Sequence, residues 1–226
     1  MTNKARSKTK SNDKRRVPLV PSTINQRYYV ESIRDNDVTV CRGLAGTGKT
    51  LIAIHAAIDL YEKNEYEKIF IVRPAVEACG EKIGFLPGGI GDKMKPLVAP
   101  IYDNLRVFIK DEGFISALTV GEPSVIEVIP MAFLRGRTLN NCVVILDEAQ
   151  NTTPQQMKLF LTRIGHNCKV IIEGDSTQSD LDFRNGLDDI IDKGIGAVEG
   201  VGTVELGESD IARSKLVGRI LRMYGK

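Results

Sequence analysis

Short, almost continuous runs of apolar residues recur along the chain and are separated by longer segments of mixed polarity. Such runs, rich in β-branched side chains, are typical of strands that are buried on both faces of a parallel sheet. We assign strands to residues 38–41, 68–72, 125–130, 142–146, 169–173 and 201–206.

The segments between these strands place apolar residues at helical spacing. After the first strand, four apolar side chains recur at i, i+3, i+7 and i+10, which is one face of an amphipathic helix. They are Leu51, Ile54, Ile58 and Tyr61. The same spacing predicts helices near residues 23–33, 95–110, 154–164 and 210–224. Alternating strands and helices predict a three-layer α/β fold, a mostly parallel sheet flanked by helices, with its binding site outside the carboxyl edge of the sheet.

The connection from the first strand to its helix is rich in glycine. Residues 43–50 read Gly-Leu-Ala-Gly-Thr-Gly-Lys-Thr and fit the phosphate-binding pattern G-x-x-x-x-G-K-[ST] at every fixed position. Glycines let backbone N–H groups turn around an anion, Lys49 brings positive charge to the β- and γ-phosphates of ATP, and Thr50 offers its hydroxyl to Mg²⁺. A turn that merely joins strand to helix is the weaker alternative. The predicted nucleotide-binding residues are Gly43, Leu44, Ala45, Gly46, Thr47, Gly48, Lys49, Thr50 and Leu51.

The fourth strand ends in two adjacent carboxylates, Asp147 and Glu148. An aliphatic strand that delivers an acidic pair near a phosphate-binding loop is typical of nucleotide hydrolysis, although a solvated turn is the alternative. Asp147 is the predicted Mg²⁺ ligand, in concert with Thr50. Glu148 is the predicted general base that polarises the attacking water.

Two glutamines are candidates for further contacts with the nucleotide. Gln26 lies in the helix upstream of the first strand, where its amide is expected to pair with the N6/N7 edge of adenine, with Tyr28 or Tyr29 as a stacking face. A solvated helix face is the alternative for Gln26. Gln178 follows the fifth strand and is expected to contact the γ-phosphate or to orient water.

Three arginines are candidates for the positive charge that phosphoryl transfer requires. The order of the motifs resembles that of a RecA-like domain, and a single domain of that kind supplies only one wall of the site. Arg137 and Arg163 are therefore expected to act from a neighbouring subunit of a homo-oligomer. A structural salt bridge is the alternative for each of them. Arg213, in the last predicted helix, is expected to approach the nucleotide.

Composition and charge divide the chain into a tail and one domain. Its 226 residues are 42% hydrophobic and 27% charged, which is enough for one sizeable core over residues 21–226. Residues 1–16 hold seven basic residues and one acidic residue, so this end carries +6 and leaves −4 for the rest of the +2 total. We expect residues 1–20 to be a disordered tail that binds nucleic acid or acts as a solubilising arm. No apolar stretch is long enough to span a membrane and no signal peptide is visible, so we expect a cytoplasmic protein.

The order of these motifs resembles the first RecA-like domain of superfamily 1 helicases. Five stretches, and more broadly residues 210–224, are similar to the PhoH-like family. The five are residues 73–78, 84–88, 135–139, 147–151 and 161–165. The resemblance implies a P-loop ATPase that uses ATP and Mg²⁺, is associated with phosphate starvation, and assembles into a ring such as a hexamer.

Three functions remain open on these grounds. The first is a plain ATPase, in which water attacks the γ-phosphate in line. The second couples hydrolysis to RNA or single-stranded DNA, which would pass the long glycine-rich loop at residues 73–89. The third is a ring-forming ATPase or nucleotide-gated binding module without motor activity. Stimulation of the ATPase rate by RNA separates the second function from the other two.

Overall fold

The computed structural model describes residues 16–74, 90–120 and 123–211. Its six strands are β1 (Val38–Gly43), β2 (Lys68–Arg73), β3 (Ile126–Pro130), β4 (Cys142–Leu146), β5 (Cys168–Gly174) and β6 (Val201–Leu206). They form one sheet in the order β3-β2-β4-β5-β1-β6, and every neighbouring pair is parallel. All six predicted strands are confirmed, each within two residues of its predicted bounds.

Six α-helices lie in the described part of the chain. They are α1 (Ile24–Asp35), α2 (Lys49–Glu62), α3 (Ile90–Phe108), α4 (Glu112–Thr119), α5 (Pro154–Leu161) and α6 (Gly186–Asp192). Thr23 and Thr153 cap α1 and α5 by accepting a hydrogen bond from a backbone N–H of the first turn. None of the described helices is long and apolar enough to cross a membrane.

The helices cover both faces of the sheet. Successive residues of β4 point to opposite sides: Val143 and Ile145 join the core under α1 to α4, whereas Val144 and Leu146 join the core under α5 and α6. All five residues of β4 are buried, as expected for a central parallel strand. The fold is therefore the predicted three-layer α/β, RecA-like arrangement of a P-loop NTPase.

The strand order brings the segments with candidate functional residues to the same edge of the sheet. The neighbours β4, β5 and β1 run in the same direction, so their carboxyl ends lie side by side at one edge of the sheet. The phosphate-binding loop follows β1, the acidic pair follows β4, and residues 175–178 follow β5. Three motifs that are far apart in the sequence thus share one edge, which is where ligands bind in open α/β sheets.

The differences from prediction concern short elements and the two ends. Helices α4 and α6 were not predicted, because eight and seven residues give only about two turns of periodicity. Of the helix predicted near residues 210–224, only the first two positions are described, and Asp210 ends a 3₁₀ turn there. The rest of that helix lies outside the described residues.

Residues 16–20, predicted to belong to a disordered tail, contact the domain. The Arg16 guanidinium lies 2.5 Å from a carboxylate oxygen of Asp59 and 2.6 Å from one of Glu62, both on α2. The backbone N–H of Leu19 donates to Nε2 of His55 at 3.1 Å. Contacts with the domain therefore extend to Arg16, earlier than the predicted boundary, while residues 1–15 lie outside the described part of the chain.

Candidate active site

Three glycines shape the loop between β1 and α2. Gly46 and Gly48 have φ angles of 81° and 84°, in the left-handed region where other residues are strained. Gly43 lies against β6, so an added Cβ would stand only 2.8 Å from the Cβ of Leu206. Gly48 is also the residue that precedes α2, and the loop therefore ends at the positively polarised start of a helix. This is the geometry of an anion-binding loop.

The first two residues of α2 turn their side chains to this loop and to the acidic pair. The Lys49 ammonium donates to the carbonyl oxygens of Gly43 at 2.8 Å and Leu44 at 3.1 Å. A phosphate bound in the loop offers stronger, charged acceptors for the same protons. The Thr50 hydroxyl donates to Oδ1 of Asp147 at 3.2 Å. The two residues predicted to hold Mg²⁺ are therefore in contact with each other.

The acidic pair is held by an arginine from the neighbouring strand. Arg73 ends β2 and places Nε 3.1 Å from Oδ2 of Asp147 and a terminal nitrogen 3.7 Å from Oε1 of Glu148. The same guanidinium donates to the carbonyl oxygen of Leu97 on α3 at 3.1 Å. Arg73 therefore connects both carboxylates to α3. From the sequence, Arg73 is the first residue of the loop at 73–89 and of the first family-like stretch, and neither fact predicts a contact with the acidic pair.

Burial and charge act in opposite directions on Asp147. Its side chain is almost completely buried, and this burial raises the pKa of its carboxyl group above the ordinary value. The Arg73 guanidinium and the Thr50 hydroxyl lower that pKa, whereas the neighbouring Glu148 raises it further. Asp147 thus depends on positive charge close by to remain ionised at such a depth.

Glu148 is presented differently from Asp147. Its backbone is in the left-handed region, with φ of 56° and ψ of 42°, and its side chain remains 45% exposed. The amide of the buried Gln150 donates to Oε2 of Glu148 at 2.6 Å, while its oxygen accepts from the backbone N–H of Asp175 at 3.0 Å. Gln150 therefore orients Glu148 and ties it to the segment after β5.

Asp175 completes the connection between the three motifs. Its Oδ2 accepts from the backbone N–H of Ala45 in the phosphate-binding loop at 2.7 Å, and its Oδ1 accepts from the hydroxyl of Thr177 at 2.7 Å. Gln178 ends the short turn that follows, and its side chain is exposed. The ends of β1, β4 and β5 are thus joined by Gln150 and Asp175, a link that the sequence does not reveal.

A cavity opens between these segments. It is lined by Ala45, Gly46, Gly48, Lys49, Thr50, Leu51, Asn104, Asp147, Glu148, Gly174, Asp175 and Gln178. The predicted base, both predicted metal ligands, Gln178 and most of the predicted loop residues therefore line one space. Asn104 of α3 was not predicted, since nothing in the sequence places α3 over this edge.

The oxygen atoms around Thr50 suit Mg²⁺. This cation is commonly held through one or two carboxylates, water and the phosphates of the substrate. Within the ranges that the structure describes, no group of three His, Cys, Asp or Glu side chains is arranged to hold a metal. Thr50 and Asp147 are the described residues that would hold Mg²⁺ at this site.

The residues predicted to contact adenine have mixed outcomes. Gln26 lies beside the loop, but its amide already donates to the carbonyl of Thr47 at 3.0 Å and its oxygen accepts from the N–H of Ser22 at 2.7 Å. A contact between Gln26 and adenine thus requires one of these bonds to be exchanged. Tyr29 is completely buried in the core, so its prediction as a stacking face is wrong, whereas Tyr28 is exposed.

Of the predicted arginines, Arg137 and Arg163 are described, and neither lines this cavity. Arg137 pairs with Glu127 of β3 at 3.1 Å and lies over the ring of Phe70. Arg163 follows α5, and its carbonyl accepts from Leu139, a residue near the amino end of β4 and so at the edge opposite the cavity. Arg213 lies outside the described residues. A role of Arg137 or Arg163 across a subunit contact stays a prediction.

Fold and site together place the chain among the P-loop NTPases. The family model described as "PhoH-like protein" matches residues 18–225. The PhoH-like protein of Synechocystis is 46% identical over 204 residues, which are 89% of this chain and 61% of the relative. That of Bacillus subtilis is 42% identical over 206 residues, 90% of this chain and 63% of the relative. The chain belongs to the PhoH-like family, and it spans about three fifths of the length of these relatives.

A solved structure supports the fold. The large terminase of a thermophilic bacteriophage has a TM-score of 0.54 to this chain at 14% identity, covering 91% of this chain and 51% of the terminase. At this identity the likeness concerns the fold alone.

Replacement of Arg73 by glutamine is expected to destabilise the protein more in EDTA than in Mg²⁺. Removal of one partner from a buried ion pair costs about 3 kcal/mol, because the remaining charge is left unpaired. A Mg²⁺ ion bound at Asp147 would restore part of the lost positive charge. Urea unfolding in EDTA and in Mg²⁺ measures both free energies of unfolding.

The control for this variant is Arg106→Gln, which removes an exposed ion pair with Glu112 and should change neither free energy. An equal loss of stability for Arg73→Gln in EDTA and in Mg²⁺ contradicts a counter-charge role for Arg73.

Proposed function

We propose that the protein hydrolyses Mg-ATP and couples hydrolysis to RNA or single-stranded DNA. The observation that carries the hydrolysis proposal is the shared cavity in which a phosphate-binding loop, Thr50 in contact with Asp147, and the partly exposed Glu148 meet. Membership of the PhoH-like family supports the same interpretation. The proposal includes ATP as the nucleotide, Mg²⁺ as the cation, and RNA or single-stranded DNA as the coupled nucleic acid.

The residues have separate tasks in this proposal. Lys49 and the loop N–H groups bind the β- and γ-phosphates, and Glu148 accepts the proton of the attacking water. Bound Mg²⁺ supplies positive charge to the phosphate oxygens. Gln178 is positioned to orient water or the γ-phosphate. Arg137 or Arg163 of a neighbouring subunit in a homo-oligomeric ring, such as a hexamer, offsets the charge that develops in the transition state.

Two features support coupling to a nucleic acid. Phe133 and Arg135 follow the carboxyl end of β3 and are both exposed, and an exposed aromatic ring beside an arginine suits stacking and phosphate contacts with a single strand. Arg73 connects the acidic pair to Leu97 of α3, which follows residues 75–89 in the chain. A change at the acidic pair thus has a direct path to α3.

The test is steady-state phosphate release from Mg-ATP with and without single-stranded RNA. We expect RNA to raise the rate of the wild type and to leave Glu148→Gln inactive. Hydrolysis that depends on Glu148 and ignores RNA and DNA removes the nucleic-acid part, and favours the ring-forming ATPase or binding module. The absence of hydrolysis under all conditions removes the ATPase proposal.

The proposed contact surface has its own matched pair of variants. Phe133→Ala is expected to reduce stimulation by RNA while basal hydrolysis is kept, because stacking on an aromatic ring contributes about 1–3 kcal/mol per base. Phe183→Ala removes an equally exposed ring elsewhere and should retain the stimulation. Equal stimulation of both variants and the wild type contradicts this surface.

A further inference from the structure

A row of polar side chains runs across four strands under the start of α2. The register aligns Val72 of β2 with Leu146 of β4, and Leu146 with Ile172 of β5, so the next residues, Arg73, Asp147 and Glu173, stand side by side. Cys41 of β1 is the neighbour of Glu173 on the other side. Because side chains alternate along strands, all members of the row point to the face covered by α2.

Glu173 is the acidic member of this row that the proposed reaction does not use. Its side chain is completely buried, and neither carboxylate oxygen has a hydrogen-bond partner among the described residues. Isolated buried carboxylates are costly and are normally paired with a cation or neutralised. A completely buried carboxyl group without a hydrogen-bond partner in the described part of the chain, close to a phosphate-binding loop, therefore indicates that Glu173 has a ligand.

The groups around Glu173 indicate what that partner is. The Asp147 and Glu148 carboxylates lie close enough to Glu173 to repel its charge, and the Lys49 ammonium lies close enough to attract it. Three carboxylates thus share this region with two cations, Arg73 and Lys49. Arg73 is already bound to Asp147, and Lys49 is bound to the loop carbonyls and is needed for phosphate. Among the described residues, no further cation is left to pair with Glu173.

The oxygen character of these groups selects the class of cation. Carboxylate and hydroxyl oxygens are the ligands of hard divalent cations, which accept two carboxylates and fill the other positions with water. We propose that Glu173 is a second acidic ligand of the cation site at Thr50 and Asp147, so that the protein binds a divalent cation before it binds nucleotide. The purpose of this site rests on the proposed ATPase function, but its existence does not.

The test is Mn²⁺ binding to the nucleotide-free full chain. The electron paramagnetic resonance signal of the free ion measures how much Mn²⁺ remains unbound. We expect one Mn²⁺ per wild-type chain and at least about ten-fold weaker binding by Glu173→Gln, which has the same size and no charge. Glu205→Gln, on exposed β6 at the same edge, is the matched control and should bind like the wild type. No Mn²⁺ binding by the wild type, or equal affinity in Glu173→Gln, overturns the proposal.

Thermal unfolding gives a second measurement, in which Mn²⁺ should reduce or reverse the difference in Tm between Glu173→Gln and the wild type. In EDTA, Glu173→Gln should have the higher Tm, because the variant no longer has to bury a carboxyl group that lacks a cation. In Mn²⁺, the wild type should gain more in Tm than the variant, because only it binds the ion tightly. A lower Tm of Glu173→Gln in both conditions indicates a merely structural carboxyl and contradicts the proposal. Since no nucleotide is present, neither result depends on ATP hydrolysis.

Discussion

Glu148→Gln is expected to retain ATP and lose turnover. Glutamine keeps the size of the side chain and one acceptor oxygen for either Arg73 or Gln150, but it cannot accept a proton from water. A positioned general base contributes about 10²–10⁴-fold to rate, so we expect hydrolysis to fall by that factor. Because Glu148 lies at the edge of the cavity and Lys49 is untouched, ATP affinity should change little.

The measurement separates binding from chemistry. Titration with a fluorescent ATP analogue gives affinity, and single-turnover phosphate release gives the rate of the chemical step. Glu205→Gln, which changes an exposed carboxylate paired with Arg42, should match the wild type in both. Turnover by Glu148→Gln at the wild-type rate would show that another group activates the water.

The sequence predicts best those features that depend on consecutive residues. A buried parallel strand is a continuous apolar run, and the phosphate-binding loop needs glycine where φ is positive, as at Gly46 and Gly48. Both signals are local, so the six strands and the loop were found. Thr50 and Asp147 were predicted to share a cation, which stays a prediction, and the fold brings their side chains into contact.

What the sequence does not predict depends on strand order and register. Arg73 reaches Asp147 only because β2 is the neighbour of β4, and Glu173 stands beside Asp147 only because β5 lies on the other side. Gln150 was passed over because an amide in a turn has no distinctive spacing. Tyr29 was wrongly assigned since a helix pattern shows which residues share a face, not which of two adjacent aromatic rings is covered.

The two acidic residues at the end of β4 and the one at the end of β5 illustrate this limit. Asp147 and Glu148 are adjacent in the sequence, and their motif identifies both. Glu173 is 26 residues from Asp147, next to a glycine, and its run of apolar neighbours identifies only a strand. Its complete burial, with no hydrogen-bond partner among the described residues, is visible only in the folded chain.

Lys49→Ala is expected to act on binding rather than on chemistry alone. The Lys49 ammonium is the one charged group of the phosphate-binding loop, and loss of a charge that pairs with a phosphate costs about 2–4 kcal/mol. ATP affinity should therefore fall about 30- to 1,000-fold by the same arithmetic. Isothermal titration with ATP measures it, and Lys193→Ala, which removes an exposed lysine paired with Asp189, is the matched control.

The contrast between Lys49→Ala and Glu148→Gln tests the division of labour in the site. Lys49 touches the loop carbonyls of Gly43 and Leu44, so its loss also frees these acceptors, and circular dichroism should show that the fold is kept. If Lys49→Ala binds ATP like the wild type, the anion is held by the helix start and loop N–H groups alone. If it binds weakly and Glu148→Gln binds normally, Lys49 holds the phosphates and Glu148 acts on the water.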